Sequence, residues 1–143
     1  MTTIRWQMVK EDNGWEAVLN APDRVLDEMI QGGHRDLDRE CFVVFLLNTK
    51  RQLIAKEVIS IGILDGSLIH PREVFKAAVS AGAAAIIVAH NHPSGDPSPS
   101  VQDREVTKRL QDAGKILGIP LLDHVIVGAG TREFFSFCAT GSW

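Results

Sequence analysis

The chain has 143 residues, 45% of them hydrophobic and 23% charged, the make-up of one globular domain with its own core and not of a disordered tail. A formal net charge of -3 argues against a dedicated nucleic-acid binder, which holds phosphates through clustered positive charge; Lys50-Arg51 and Lys108-Arg109 are the only adjacent basic pairs. Cys41 and Cys138 make no disulfide framework, and the longest apolar run, 83–89, is far short of the roughly 20 residues of a membrane helix. Nor does the first stretch, MTTIRWQMVKEDNGW, carry an apolar signal core, so the expectation is a soluble cytoplasmic protein with no membrane contact.

Taken in order, residues 1–20 read as irregular or as a short strand. Pro22 opens a helix over 22–30 with Val25, Leu26, Met29 and Ile30 on one stripe, stopped by Gly32-Gly33. We divide the chain into a leader, 1–35, holding this short helix, and a main domain, 36–143. The run 41–47, rich in Phe and Val, predicts a buried strand. A turn at 48–51 sends a second strand, 52–62, back antiparallel to it, and Gly66 marks another turn. Pro71 begins a helix over 71–81 with Val74, Phe75, Ala78 and Val79 as its apolar stripe. A central strand follows over 84–89, ending at His90. Prolines at 93, 97 and 99 make 91–99 irregular, because each removes an amide donor and fixes φ. Ser98 as cap with Pro99 at the first helical position predicts a helix to Gly114 or Gly118. Strands over 122–127 and 133–137 close the chain. The interleaving predicts an α/β fold, a mixed sheet flanked by helices.

The chemistry gathers in His90-Asn91-His92-Pro-Ser-Gly-Asp-Pro-Ser-Pro-Ser100-Val-Gln-Asp103. Histidines at i and i+2 of a strand project to the same side, and Ser100 and Asp103, three apart in a helix start, share a face. Two imidazoles and one carboxylate with a position left for water are a usual ligand set of a catalytic zinc, and the segment sits at a strand-to-helix crossover, where open α/β sheets bind ligands. The competing reading is a capped helix on a proline-rich loop with Asp103 answering the helix dipole, which accounts for neither histidine.

The spacing H-x-H-x7-S-x2-D, with a glutamate before an earlier buried strand, resembles the JAMM zinc metalloproteases. The longer string HNHPSGDPSPSVQD, followed by LLDHVIVG, resembles the RadC family. The resemblance covers about residues 36–143. It implies zinc held by His90, His92 and Asp103, a catalytic Glu40, an oxyanion-stabilising Ser100, and the α-β-α arrangement that JAMM domains share with cytidine deaminases. Read from the residues alone, Glu40 is a carboxylate at a strand entrance that lies near the site only if its strand neighbours 84–89; Glu57 and, less so, Glu73 are the other candidate bases. Asp123-His124 are open between a satisfied buried pair and a supporting or substrate role. Thr107, one turn after Asp103, is open between a side chain pointing towards the site and the favoured helix-surface or packing role; Cys41 reads as a small core residue, Phe134, Phe135 and Phe137 as core, and His34 and His70 as surface groups.

The expected function is hydrolysis of a peptide or isopeptide bond through a zinc-activated water, with Glu40 as general base and a protein or peptide as substrate. The rivals are a DNA-repair-associated RadC-like factor and a noncatalytic zinc scaffold. RadC-type proteins carry an additional amino-terminal helical region with a DNA-binding look, and this chain has the short leader there, so DNA is not expected as its principal ligand. The literal His-Asn-His is not the nuclease signature of that name, and the H-x-E and P-C-x-x-C pattern of zinc deaminases is absent.

Overall fold

The computed structural model describes residues 17–62 and 69–143; the expected turn at Gly66 and the reading of 1–16 lie outside them. The elements are α1 (Pro22–Gln31), β1 (Glu40–Leu47), β2 (Leu53–Gly62), α2 (Pro71–Ala81), β3 (Ala85–His92), α3 (Val101–Leu117), β4 (Leu121–Gly128), β5 (Phe134–Ser136) and α4 (Phe137–Thr140). The strands form a single mixed sheet in the order β2-β1-β3-β4-β5. Only β3 and β4 are parallel neighbours, as the α3 crossover between them requires. Helices cover both faces, which is the α-β-α arrangement expected.

β1 and β3, like β4, have a strand on each side, and this is why their sequences are apolar almost without alternation: Cys41 through Leu47 are all buried. Alternation along them splits the core in two. Phe42, Val44, Leu46, Ile86 and Val88 pack with Val74, Phe75 and Ala78 of α2 and Val106 and Leu110 of α3. Cys41, Val43, Phe45, Ile87 and Ala89 pack on the other face with Val25, Leu26 and Met29 of α1. Leu19 belongs to this second cluster too, and Val18 bridges to Gln52.

Three expectations need correction. β3 does not end at His90: its parallel ladder with β4 continues to His92↔Gly128, so both histidines and Asn91 stand on a strand. The cap of α3 is Ser100, not Ser98, and Pro99 precedes the helix. Ser100 Oγ accepts from the Asp103 amide while the Asp103 carboxylate accepts from the Ser100 amide, a reciprocal box that satisfies two otherwise unpaired donors at once. The last strand stops at Ser136, whose hydroxyl accepts from the Ala139 amide and starts the unforeseen α4. The β1–β2 turn is as expected, with Asn48 Oδ1 accepting from the amides of Lys50 and Gln52.

Candidate metal centre

The site forms where β1 and β3 run antiparallel. Their register pairs Phe42 with His90, so two residues further on each strand Glu40 comes across from His92, and Glu40 Oε1 lies 3.7 Å from His92 Nε2. The condition set for Glu40 is therefore met. The Nε2 atoms of His90 and His92 are 3.1 Å apart. Asp103, one turn into α3, brings Oδ1 to 3.1 Å from His90 Nε2 and Oδ2 to 3.2 Å from His92 Nε2. Glu40, His90 and His92 can each offer a ligand atom within 4.8 Å of one another. Two imidazole nitrogens and carboxylate oxygens at these separations are all electron-pair donors, a set that could hold a cation. The spacing fits: donors about 2.0–2.1 Å from a tetrahedral zinc stand about 3.3 Å from each other.

Each donor is held from behind. His92 Nδ1 is 2.8 Å from the Asp96 carbonyl; a carbonyl only accepts, so the hydrogen sits on Nδ1 and Nε2 is left for the site. The loop that carries Asp96 is seated on β4, where a Cβ at Gly128 would collide with the Gly95 carbonyl. His90 is completely buried, with Phe42 stacked at 5.9 Å. Burial pushes the Asp103 carboxyl upward, but the adjacent His90 and His92 rings and the hydrogen bond from the Ser100 amide outweigh it and hold the group far below the ordinary carboxylate range. Burial likewise works against the charged form of His92, and its Asp103, Asp96 and Glu40 neighbours reverse the balance and raise its pKa.

Ser100 is exposed at the mouth of α3. Its oxygen accepts from the Asp103 amide, which leaves the hydroxyl hydrogen to donate. Glu57, on β2, and Glu73, in the first turn of α2, are exposed; among the described residues, neither joins the histidines.

Three residues take roles that the sequence did not reveal, for Asn91, or left open, for Thr107 and His124. Asn91 points to the opposite face from its flanking histidines and takes hold of the approach to Glu40. Its Oδ1 accepts from the Cys41 amide at 2.6 Å, and its Nδ2 donates to the carbonyls of Leu37 and Arg39. A lone Asn in an apolar strand was the available signal. Thr107 is buried against His124 at 2.6 Å and is not mere packing, and His124 lies 2.9 Å from His90 Nδ1. The His124 ring stacks on Phe137 at 5.1 Å; burial, followed by the nearness of His90, holds its pKa well below the usual histidine value. His34 is also no surface group, since it is half-buried with Nδ1 3.7 Å from Cys41 Sγ.

The comparisons agree with this architecture. A family model described as RadC-like JAB domain matches residues 19–142. The chain belongs to the RadC-like JAB family. It is 54% identical over 118 residues to a UPF0758 protein of Rubrobacter xylanophilus, covering 82% of this chain and 52% of that one. With a UPF0758 protein of Desulforamulus reducens it shares 52% identity over 111 residues, 78% of this chain and 48% of the relative. The chain thus spans about half the length of the curated relatives it matches. The match gives this RadC-like JAB domain a JAMM-type metallohydrolase fold, and the Glu40–His90–His92 group is a candidate metal site. Among the described residues, no helix is long and apolar enough to cross a membrane.

Proposed function

We propose that this RadC-like JAB domain is a zinc-dependent hydrolase of peptide or isopeptide bonds. One observation carries the reading: two imidazole Nε2 atoms 3.1 Å apart, both against Asp103, with the Glu40 carboxylate 3.7 Å from one of them. His90, His92 and Asp103 hold the ion. Bound zinc supplies a water with its pKa lowered to about 7 and polarises the substrate carbonyl.

The protein's own groups do the rest. Glu40 accepts the proton of the attacking water and delivers it to the departing nitrogen, a service worth about 10² to 10⁴ in rate. Asn91 holds the backbone on both sides of Glu40 and so fixes where that carboxylate stands. Ser100 donates its hydroxyl hydrogen to the oxyanion, a contribution of about 3 kcal/mol from a well-placed donor. The substrate is a protein or peptide amide; a net charge of -3 gives DNA little hold as principal ligand. Both cysteines are unpaired, in keeping with a reducing cytoplasm.

The test joins metal analysis to cleavage profiling on a peptide and isopeptide library, with and without chelator. Wild type should carry one zinc per chain and lose activity to the chelator. Glu40→Gln should keep its zinc and melting temperature while turnover falls about 10²-fold or more. Protein that cannot be loaded with zinc refutes the site. Equal turnover by Glu40→Gln removes Glu40 from the mechanism, and zinc without any cleavage favours a scaffold.

A further inference from the structure

Behind the three proposed ligands lies a second row of buried polar groups, Thr107 and His124, and its hydrogen bonds have only one consistent direction. Thr107 Oγ1 is 2.7 Å from the backbone carbonyl of Asp103, one turn earlier in α3, and 2.6 Å from His124 Nδ1. A hydroxyl has one hydrogen, and a carbonyl oxygen can only accept. The hydrogen therefore goes to Asp103, and the hydroxyl oxygen meets His124 with lone pairs alone. His124 Nδ1 must then carry a hydrogen and donate it.

The His124 ring is fully buried, with Phe137 stacked on one side and Phe42 set edge-on at 5.7 Å. Such apolar walls favour a neutral ring, and a neutral imidazole with a hydrogen on Nδ1 has a bare Nε2. That atom lies 2.9 Å from His90 Nδ1. The hydrogen between the two rings consequently belongs to His90. We infer that Thr107 and His124 are positioning residues that orient His90 and fix its hydrogen on Nδ1, so that Nε2 is always the nitrogen left to take a cation. With the opposite tautomer, His90 would push an N–H into the site and oppose a metal ion. His92 obtains the same outcome from the Asp96 carbonyl. The two histidines thus reach one state by unlike means, a backbone acceptor at the half-buried ligand and a side-chain relay at the fully buried one. A direct backbone acceptor is the simpler device, but His90 Nδ1 meets the His124 side chain of β4 instead.

The inference rests on the metal reading for its purpose but not for its test. In metal-free protein labelled with nitrogen-15 in histidine, long-range proton–nitrogen NMR at neutral pH should find the His124 hydrogen on Nδ1 and a bare Nε2. A hydrogen on Nε2 overturns the inference, whatever the protein does with zinc. The second arm measures zinc affinity by competition with a chromophoric chelator. Thr107→Val keeps the shape but not the hydroxyl and should weaken zinc binding about 10- to 100-fold, while Thr107→Ser should stay within about threefold of wild type, as expected for a ligand's supporting hydrogen bond. Folded Thr107→Val that binds zinc as tightly as wild type would also overturn it. Should the Val variant not fold, the NMR result on wild type decides. Wild type that binds no zinc refutes the proposed function alone, and the hydrogen position still judges the relay.

Discussion

On the sheet face covered by α2 and α3, Asp103 is 3% exposed and lies against two imidazoles; on the face covered by α1, Asp123 is 6% exposed and lines a small cavity beside Pro22, Val25 and Ile87. The two carboxylates are buried to nearly the same degree, yet their surroundings drive them apart. Asp103 is held far down its titration range because the two adjacent histidines outweigh desolvation. Among the described residues, Asp123 pairs with no cation. It accepts from the Ser136 hydroxyl and from the amides of His124 and Cys138, and desolvation still wins, raising its pKa. Burial alone therefore does not mark a functional carboxylate. What distinguishes Asp103 is a partner set able to share a cation; Asp123 is the anchor that ties β4 to β5 and α4.

The largest expected break in this comparison is in metal content. Asp103→Asn should come through dialysis with little zinc, because a neutral amide replaces an anionic ligand, whereas Asp123→Asn should keep its zinc near the wild-type level. Elemental analysis of the two variants side by side checks it. Equal loss from both would mean that Asp103 acts through the fold and not as a ligand.

Asn91→Ala should have the next effect. It leaves the buried Cys41 amide without its acceptor and frees the carbonyls of Leu37 and Arg39, at a cost of about 3 kcal/mol in denaturant unfolding. Zinc should remain bound while turnover falls, since the ligands are untouched and only the seat of Glu40 is loosened.

The two aspartates should also give pH slopes of opposite sign in metal-free protein. A carboxyl held below its unfolded value of about 3.9 is a source of stability that is complete above that value and is lost as pH falls through the folded pKa. Asp103→Asn should remove part of the acid-side loss. A carboxyl held above its unfolded value acts the other way: the folded state gains at low pH and gives that gain up as pH rises through the raised pKa. Asp123→Asn should remove that decline. Urea midpoints measured from acid to neutral pH separate the two, and slopes of the same sign would contradict the assignment of surroundings.

The smallest effect belongs to the surface of α3, where Lys108 pairs with Asp112 one turn on, both exposed. Lys108→Ala should shift stability by less than about 0.5 kcal/mol. A larger change in a thermal melt would show that the outer side of this helix is tied to the inner side that carries Asp103 and Thr107.

Much of this molecule is legible without coordinates, for reasons local to the chain. The apolar run at 41–47 needed no partner to be read as an inner strand, since buried strands lack alternation. The range of α2 follows from Pro71 and a helical stripe, and the turn at 48–51 from its polar residues. The grouping of His90, His92 and Asp103 follows from spacing, because strand and helix periodicities bring those side chains to one side. Other features show only in the folded chain. Ser98 and Ser100 are equally good caps by type, and only the reciprocal bond with Asp103 selected Ser100. Glu40 reached the site through the β1–β3 register, which pairs Phe42 with His90, 48 residues on in sequence. The roles of Asn91, Thr107 and His124 depend on contacts 50, 17 and 34 residues apart, which no local pattern encodes. Sequence determined which residues have the chemistry to hold a cation, because donor type and short-range spacing are properties of the chain; tertiary structure decided which groups stand behind them, because a hydrogen bond across a sheet exists only once the strands have found their register.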